Sequence, residues 1–253
     1  MKKILLAIGL SAIISSCATD EKETEKAMVK DVRIESNADC DGINCPEISI
    51  SYPKITSEKV PSEKINAVIE HRVVAIINSS PEEDTENLSV NKAIDQFNEE
   101  FEQLRKDFPD SKAGYEAHIK GQVHHQSEKL LSIKLDSYMY TGGAHGYTAI
   151  NYLNIDPKTG KLLENSELFK DVSKFTQQAE KLFRQKEKIS DTTNLSNAGY
   201  WFENDKFVLP NNIGITDKNL VLFYNPYEVA PYSEGPIEIS IPLEKVKDNL
   251  TIL

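Results

Sequence analysis

The chain has 253 residues, with 40 acidic and 29 basic side chains and a formal net charge of −11. Its hydrophobic fraction of 39% is enough to build a buried core and excludes a wholly disordered chain. The acidity excludes nucleic acid and anionic lipid headgroups as ligands, because both are recognised through basic patches, and it favours a basic partner.

The N-terminus has three parts. Lys2 and Lys3 give a basic start, Ile4 to Ile14 is almost wholly apolar, and Ser15-Ser16-Cys17 places small residues before a cysteine. An apolar run this short cannot span a bilayer as a permanent helix, which needs about 20 residues. It reads as a secretory signal peptide over residues 1–16. The small-small-Cys ending is that of a bacterial lipoprotein, with Cys17 acylated as the mature N-terminus. Loss of Lys2 and Lys3 leaves 27 basic residues against 40 acidic ones, a mature charge of −13. Residues 17–29 form a lipidated tether, rich in Glu, Lys and Thr and too polar to fold alone. Asp20, Glu21 and Glu23 suit a surface-export signal, which places the anchor in the outer membrane.

Cys40 and Cys45 flank a short loop containing Gly42 and Asn44. Two cysteines outside the cytoplasm are expected to pair, and only Asp39 and Asp41 stand near as alternative metal ligands. The pattern from Glu47 to Pro53 alternates as a strand that stops at proline. Ser62 is a candidate helix cap, and Ile65, Val68, Ile69, Val73, Ile76 and Ile77 then recur at helical spacing. Ser89 caps a second helix with a stripe of Val90, Ile94, Phe97, Phe101, Leu104 and Phe108.

From Tyr115 the period becomes two, predicting strands around Ile119–Val123, Leu131–Leu135 and Tyr147–Ile155. Asp156-Pro157-Lys158-Thr159-Gly160 is a turn, followed by a helix carrying Val172, Phe175, Ala179, Leu182 and Phe183. Further strands are expected at Lys206–Leu209, Ile213–Ile215, Leu220–Tyr224 and Ile237–Ile241. Strands and helices fall in blocks, predicting an α+β fold with a mainly antiparallel sheet, packed helices and two small subdomains. The boundary is placed near residue 112, giving subdomains over 30–112 and 113–253.

Thr141-Gly142-Gly143-Ala144-His145-Gly146 is the most unusual local sequence. Its glycines permit positive φ and close approach of a partner, with His145 at the tip. That histidine could act as a base, a metal ligand or a hydrogen-bonding contact, or simply pack on a nearby tyrosine in a tight strand connection. His118, His124 and His125 do not chelate as a regular strand: the first two stand about 20 Å apart, and the doublet points to opposite faces. A shared metal site would require His145 and Asp136 to converge with one of them, so no metal or cofactor is assigned. The segment from Tyr224 to Pro236 has three prolines and places Tyr227 and Tyr232 in a stiff loop. Such a loop suits protein or sugar recognition, or folds back with its tyrosines buried. No serine-hydrolase elbow, phosphate loop, zincin helix or dinucleotide turn is present.

Tyr-Thr-Gly-Gly-Ala-His-Gly at 140–146, the Asp156–Lys161 turn, the 224–236 loop and the Glu47–Pro53 strand together carry a family resemblance. The chain resembles the paired uncharacterised extracellular domains of the lysozyme-sensing anti-sigma factor RsiV, which also accompany the deacetylase of the peptidoglycan deacetylase PdaC. The resemblance covers roughly residues 45 to 246. It implies an α+β fold and a protein-recognition surface, carried here onto Gly142, Gly143, His145, Tyr227 and Tyr232. It does not bring the metal-binding Asp/His set of a polysaccharide deacetylase. The expected function is therefore a non-enzymatic envelope lipoprotein that binds lysozyme or a cell-wall component. The alternative is a peptidoglycan-acting hydrolase using His145 as base, assisted by Asp136 or Glu228.

Overall fold

The computed structural model describes residues 29–35, 45–78 and 88–252. The segment read as a signal peptide, Cys17, nearly all of the segment read as a tether, and Cys40 lie outside the described residues. Among the described residues, no helix is long and apolar enough to cross a membrane.

Two layered bodies follow one another along the chain, and the class is α+β. The first is a five-stranded sheet with strand order β1-β2-β3-β4-β5. These strands are β1 (Val29–Glu35), β2 (Glu47–Ile55), β3 (Glu116–Gln126), β4 (Leu131–Tyr140) and β5 (Tyr147–Ile155). Only β2 and β3 pair in parallel, because α1 (Ser62–Ile77) and α2 (Val90–Asp107) intervene between them. One face of the sheet packs on these helices through Ile48, Ile50, Ile119, Ile133 and Leu135, against Ile65, Ile69, Val73, Phe97 and Phe101.

Two caps behave differently. Ser89 caps α2, its hydroxyl accepting from the Lys92 amide at 3.3 Å. Ser62 instead begins α1, which has Pro61 before it and no side-chain cap; the Ser62 hydroxyl donates to the Ser57 carbonyl. β2 also runs through Pro53 to Ile55 rather than stopping there. Its pairing with β3 ends at Ser51 and Lys120, so beyond that point the missing proline N–H interrupts no ladder on that side.

The second body sets α3 (Val172–Lys186) against the antiparallel sheet β6-β7-β8, formed by Asn212–Ile215, Asn219–Tyr224 and Ile237–Pro242. Its core gathers Phe175, Phe183, Phe202, Phe207 and Tyr224 around the apolar faces of the strands. The strand expected at Lys206–Leu209 is absent. Phe207 is buried there, but the segment pairs with no neighbour.

The boundary expected near residue 112 falls between α2 and β3, whereas β2 and β3 pair directly across it. Apart from Leu130, which joins the second core, the two apolar cores instead divide the chain after β5. The bodies meet where β6 lies on the polar face of the first sheet. There the Ser132 hydroxyl donates to Asn154 Oδ1 at 2.9 Å and accepts from the Ile215 amide at 3.2 Å. Asn154 Nδ2 donates to the Ile213 carbonyl at 2.6 Å. Both side chains are buried, so this satisfied polar pair fixes how the bodies dock.

Candidate binding surface

The connection between β4 and β5 contains the histidine loop. Gly142 and Gly143 have φ of 94° and 97°, in the left-handed region that side chains disfavour. Gly146 lies against the Tyr138 ring, leaving no room for a Cβ. His145 is exposed at the tip, and its Nδ1 is 2.9 Å from the Gly146 carbonyl, to which it can only donate.

The loop between β7 and β8 comes from the other body and meets it. The Tyr232 ring stacks on His145 with centroids 4.2 Å apart and planes at 21°, and its hydroxyl donates to the Gly146 carbonyl at 3.2 Å. Tyr227 continues the row, 5.3 Å from Tyr232. Tyr147 Oη donates to the Pro226 carbonyl at 3.3 Å. Gly142, Gly143, His145, Tyr227 and Tyr232 therefore come together. The histidine packs on a tyrosine, with Tyr232 half-buried between the exposed His145 and Tyr227.

The 224–236 loop is pinned at several points. The Asn225 side chain accepts from the Ile150 amide at 2.8 Å and donates to the Ile150 carbonyl at 2.9 Å, taking the place of a further strand along β5. Glu228 accepts from the Asn211 and Asn225 amides, one on each carboxylate oxygen. Burial pushes the Glu228 pKa up and outweighs these two hydrogen bonds, which pull it down. Tyr224 Oη donates to the Val208 carbonyl at 2.7 Å, and desolvation holds this phenol well above its ordinary range.

Beside the platform lies the uncovered part of the polar face of the first sheet, which sequence reasoning did not single out. Three recesses of about 570, 330 and 230 Å³ follow one another across it. The first two share Ser51 and Lys120, and the second and third share Asp136 and Ser137. The alternation of Ser49, Ser51, His118, Lys120, Asp136 and Tyr138 along three strands was the available signal.

His118, His124 and His125 serve this face. His118 stacks on Tyr138 at 5.9 Å. A register shift between Val123 and His125 breaks the alternation, so His124 and His125 line one recess instead of opposite faces. Burial first, and then the Lys134 charge, lowers the His124 pKa, with Asp136 opposing. His125 Nδ1 sits 3.1 Å from Asp217 Oδ1. Among the described residues, no group of three His, Cys, Asp or Glu side chains is arranged to hold a metal ion.

Comparison with known proteins matches the two bodies separately. Residues 41–148 fit the family model described as deacetylase PdaC, and residues 166–244 the one described as a protein of unknown function, DUF3298. The anti-sigma-V factor RsiV of Bacillus subtilis (strain 168) is 30% identical over 215 residues, covering 78% of this chain and 70% of that protein. The chain belongs to the RsiV-like DUF3298 family. Two crystal structures share the fold. A DUF3298 family member from Bacteroides fragilis NCTC 9343 has a TM-score of 0.65 at 20% identity, covering 90% of this chain and 94% of that one. A DUF3298 family protein from Pseudomonas aeruginosa PAO1 also has a TM-score of 0.65, at 21% identity and covering 90% and 96%. The RsiV-like chain thus carries its platform at the meeting of the two matched regions.

Proposed function

We propose that this chain is a non-enzymatic, lipid-anchored binding protein of the bacterial envelope. Its His145–Tyr232–Tyr227 platform captures a basic protein of the c-type lysozyme class. The observation that carries the reading is the stack of exposed His145 on half-buried Tyr232, built by loops from two different bodies. Aromatic rings already held in place lose little entropy on binding. Kinship with an anti-sigma factor supports an extracellular sensing or binding role. The net charge supports a basic partner by speeding encounter. Acylation of Cys17 anchors the chain, in the outer membrane if the acidic residues after it act as an export signal. A bond between Cys40 and Cys45 secures the entry to β2, a pairing supported by the disulfide-bonded state of Cys45.

The test is titration of the mature chain with c-type lysozyme at low and at physiological salt, with lytic activity followed alongside. Binding should persist in salt and block lysis, and His145→Ala or Tyr232→Ala should weaken it about tenfold, or ~1.4 kcal/mol. Binding confined to low salt is nonspecific attraction between opposite charges and defeats the proposal.

The match to the deacetylase model keeps a peptidoglycan-acting enzyme as the second reading. In its His145 form, that reading draws on side chains engaged elsewhere. Asp136 pairs with Lys134 at 2.6 Å, and Glu228 has both oxygens on backbone amides. Turnover of peptidoglycan fragments that disappears in His145→Ala would establish it.

A further inference from the structure

Seven large apolar side chains stand exposed among the described residues, and four of them gather on one segment. Tyr227 belongs to the 224–236 loop. Tyr147 is tied to it at the Pro226 carbonyl, Trp201 through its amide to the Val229 carbonyl at 2.8 Å, and Val208 through its carbonyl to Tyr224 Oη. Trp201 is the only tryptophan of the chain and is 55% exposed.

The backbone around Trp201 is held on both sides. Tyr200 packs on Phe183 at 4.9 Å and donates its hydroxyl to Glu187 at 2.7 Å. Phe202 is buried against the same Phe183 at 5.5 Å. With both neighbours anchored in the core, the indole between them stands in solvent on a fixed stem. The Tyr200 phenol, on the core side, bonds Glu187, so the indole is directed the other way, on a chain of net charge −11. An exposed indole face on so acidic a chain is suited to a lysine or arginine side chain, which the ring attracts through its quadrupole and the chain through its net charge.

We propose that Trp201 is a second anchor of the partner-binding face, stacking on a cationic side chain of a basic protein. It is joined to the His145 platform through the 224–236 segment. This rests on the binding reading above and adds a residue to it.

The test uses the full mature chain labelled with 5-fluorotryptophan, whose single tryptophan gives one fluorine resonance, and c-type lysozyme at physiological salt. Saturation should shift or broaden that resonance. Trp201→Ala should weaken binding about tenfold, while Trp201→Phe keeps part of the affinity; both variants should melt as the wild type does. An unmoved resonance, with wild-type affinity in Trp201→Ala while Tyr227→Ala still loses binding, overturns the assignment and leaves the platform standing. Failure of the wild-type chain to bind lysozyme overturns both.

Discussion

Tyr227 combines two unfavourable circumstances at a single residue. Its φ is 68°, and its side chain is 51% exposed, so core packing does not hold it there. The Glu228 amide donates to the Asn225 carbonyl at 3.0 Å, closing a turn over Asn225-Pro226-Tyr227-Glu228. With proline at the second position, such a turn favours glycine at the third. A side chain there costs about 1 kcal/mol. The conformation persists because Asn225 and Glu228 determine the turn from both ends. Tyr227→Gly removes ring and strain together, whereas Tyr227→Ala removes the ring and keeps the strain. Tyr227→Gly should therefore unfold at a denaturant concentration no lower than Tyr227→Ala, and both should lose partner affinity. A clearly less stable glycine variant would show that the turn is unstrained. The glycines at 142 and 143 advertised their positive φ in the sequence. Tyr227 could not, because nothing local marks a tyrosine that its neighbours force into that region.

At the scale of elements, amphipathic periodicity made α1, α2 and α3 legible, and alternation did the same for the strands that bury one face. β1 escaped because Lys30, Asp31, Arg33 and Glu35 interrupt its apolar pattern, a composition that suits an edge strand and discourages further pairing. The opposite error occurred at Lys206–Leu209, where alternation is present but no neighbouring strand offers a ladder. The other edge, β5, is closed by side chains instead of a strand. Asn225 occupies both backbone groups of Ile150, and Asn212 Oδ1 accepts from the Tyr152 amide at 3.2 Å. Asn225→Ala strips a half-buried N–H and C=O of their partners together, and should cost about 1–3 kcal/mol in urea unfolding. A loss below about 0.5 kcal/mol would mean that water replaces the amide fully and that the loop is held elsewhere.

Across the whole molecule, the class was readable but the seam was not. Sequence order suggested a break where helices give way to strands, near residue 112. The parallel pairing of β2 with β3 joins segments separated by two helices, and no local pattern reveals such a partnership. The same limit hid the docking of the bodies, which rests on Ser132 and Asn154, two polar residues that look like solvent-facing positions of β4 and β5 until β6 covers them. Gly214 reinforces the contact, since the Tyr152 ring fills the space a Cβ would need. This junction has a functional consequence. The His145 loop belongs to the first body and the Tyr227–Tyr232 loop to the second, so the platform keeps its stacking only while the docking angle is kept. Asn154→Ala leaves the Ile213 carbonyl and the Ser132 hydroxyl without their buried partner and should destabilise the chain by about 2–3 kcal/mol. At temperatures where the variant remains folded, it should also weaken the proposed lysozyme binding, although Asn154 is buried at the junction and does not belong to the platform. A variant that loses stability but keeps wild-type affinity would show that the Tyr232–Gly146 and Tyr147–Pro226 hydrogen bonds alone hold the loops together.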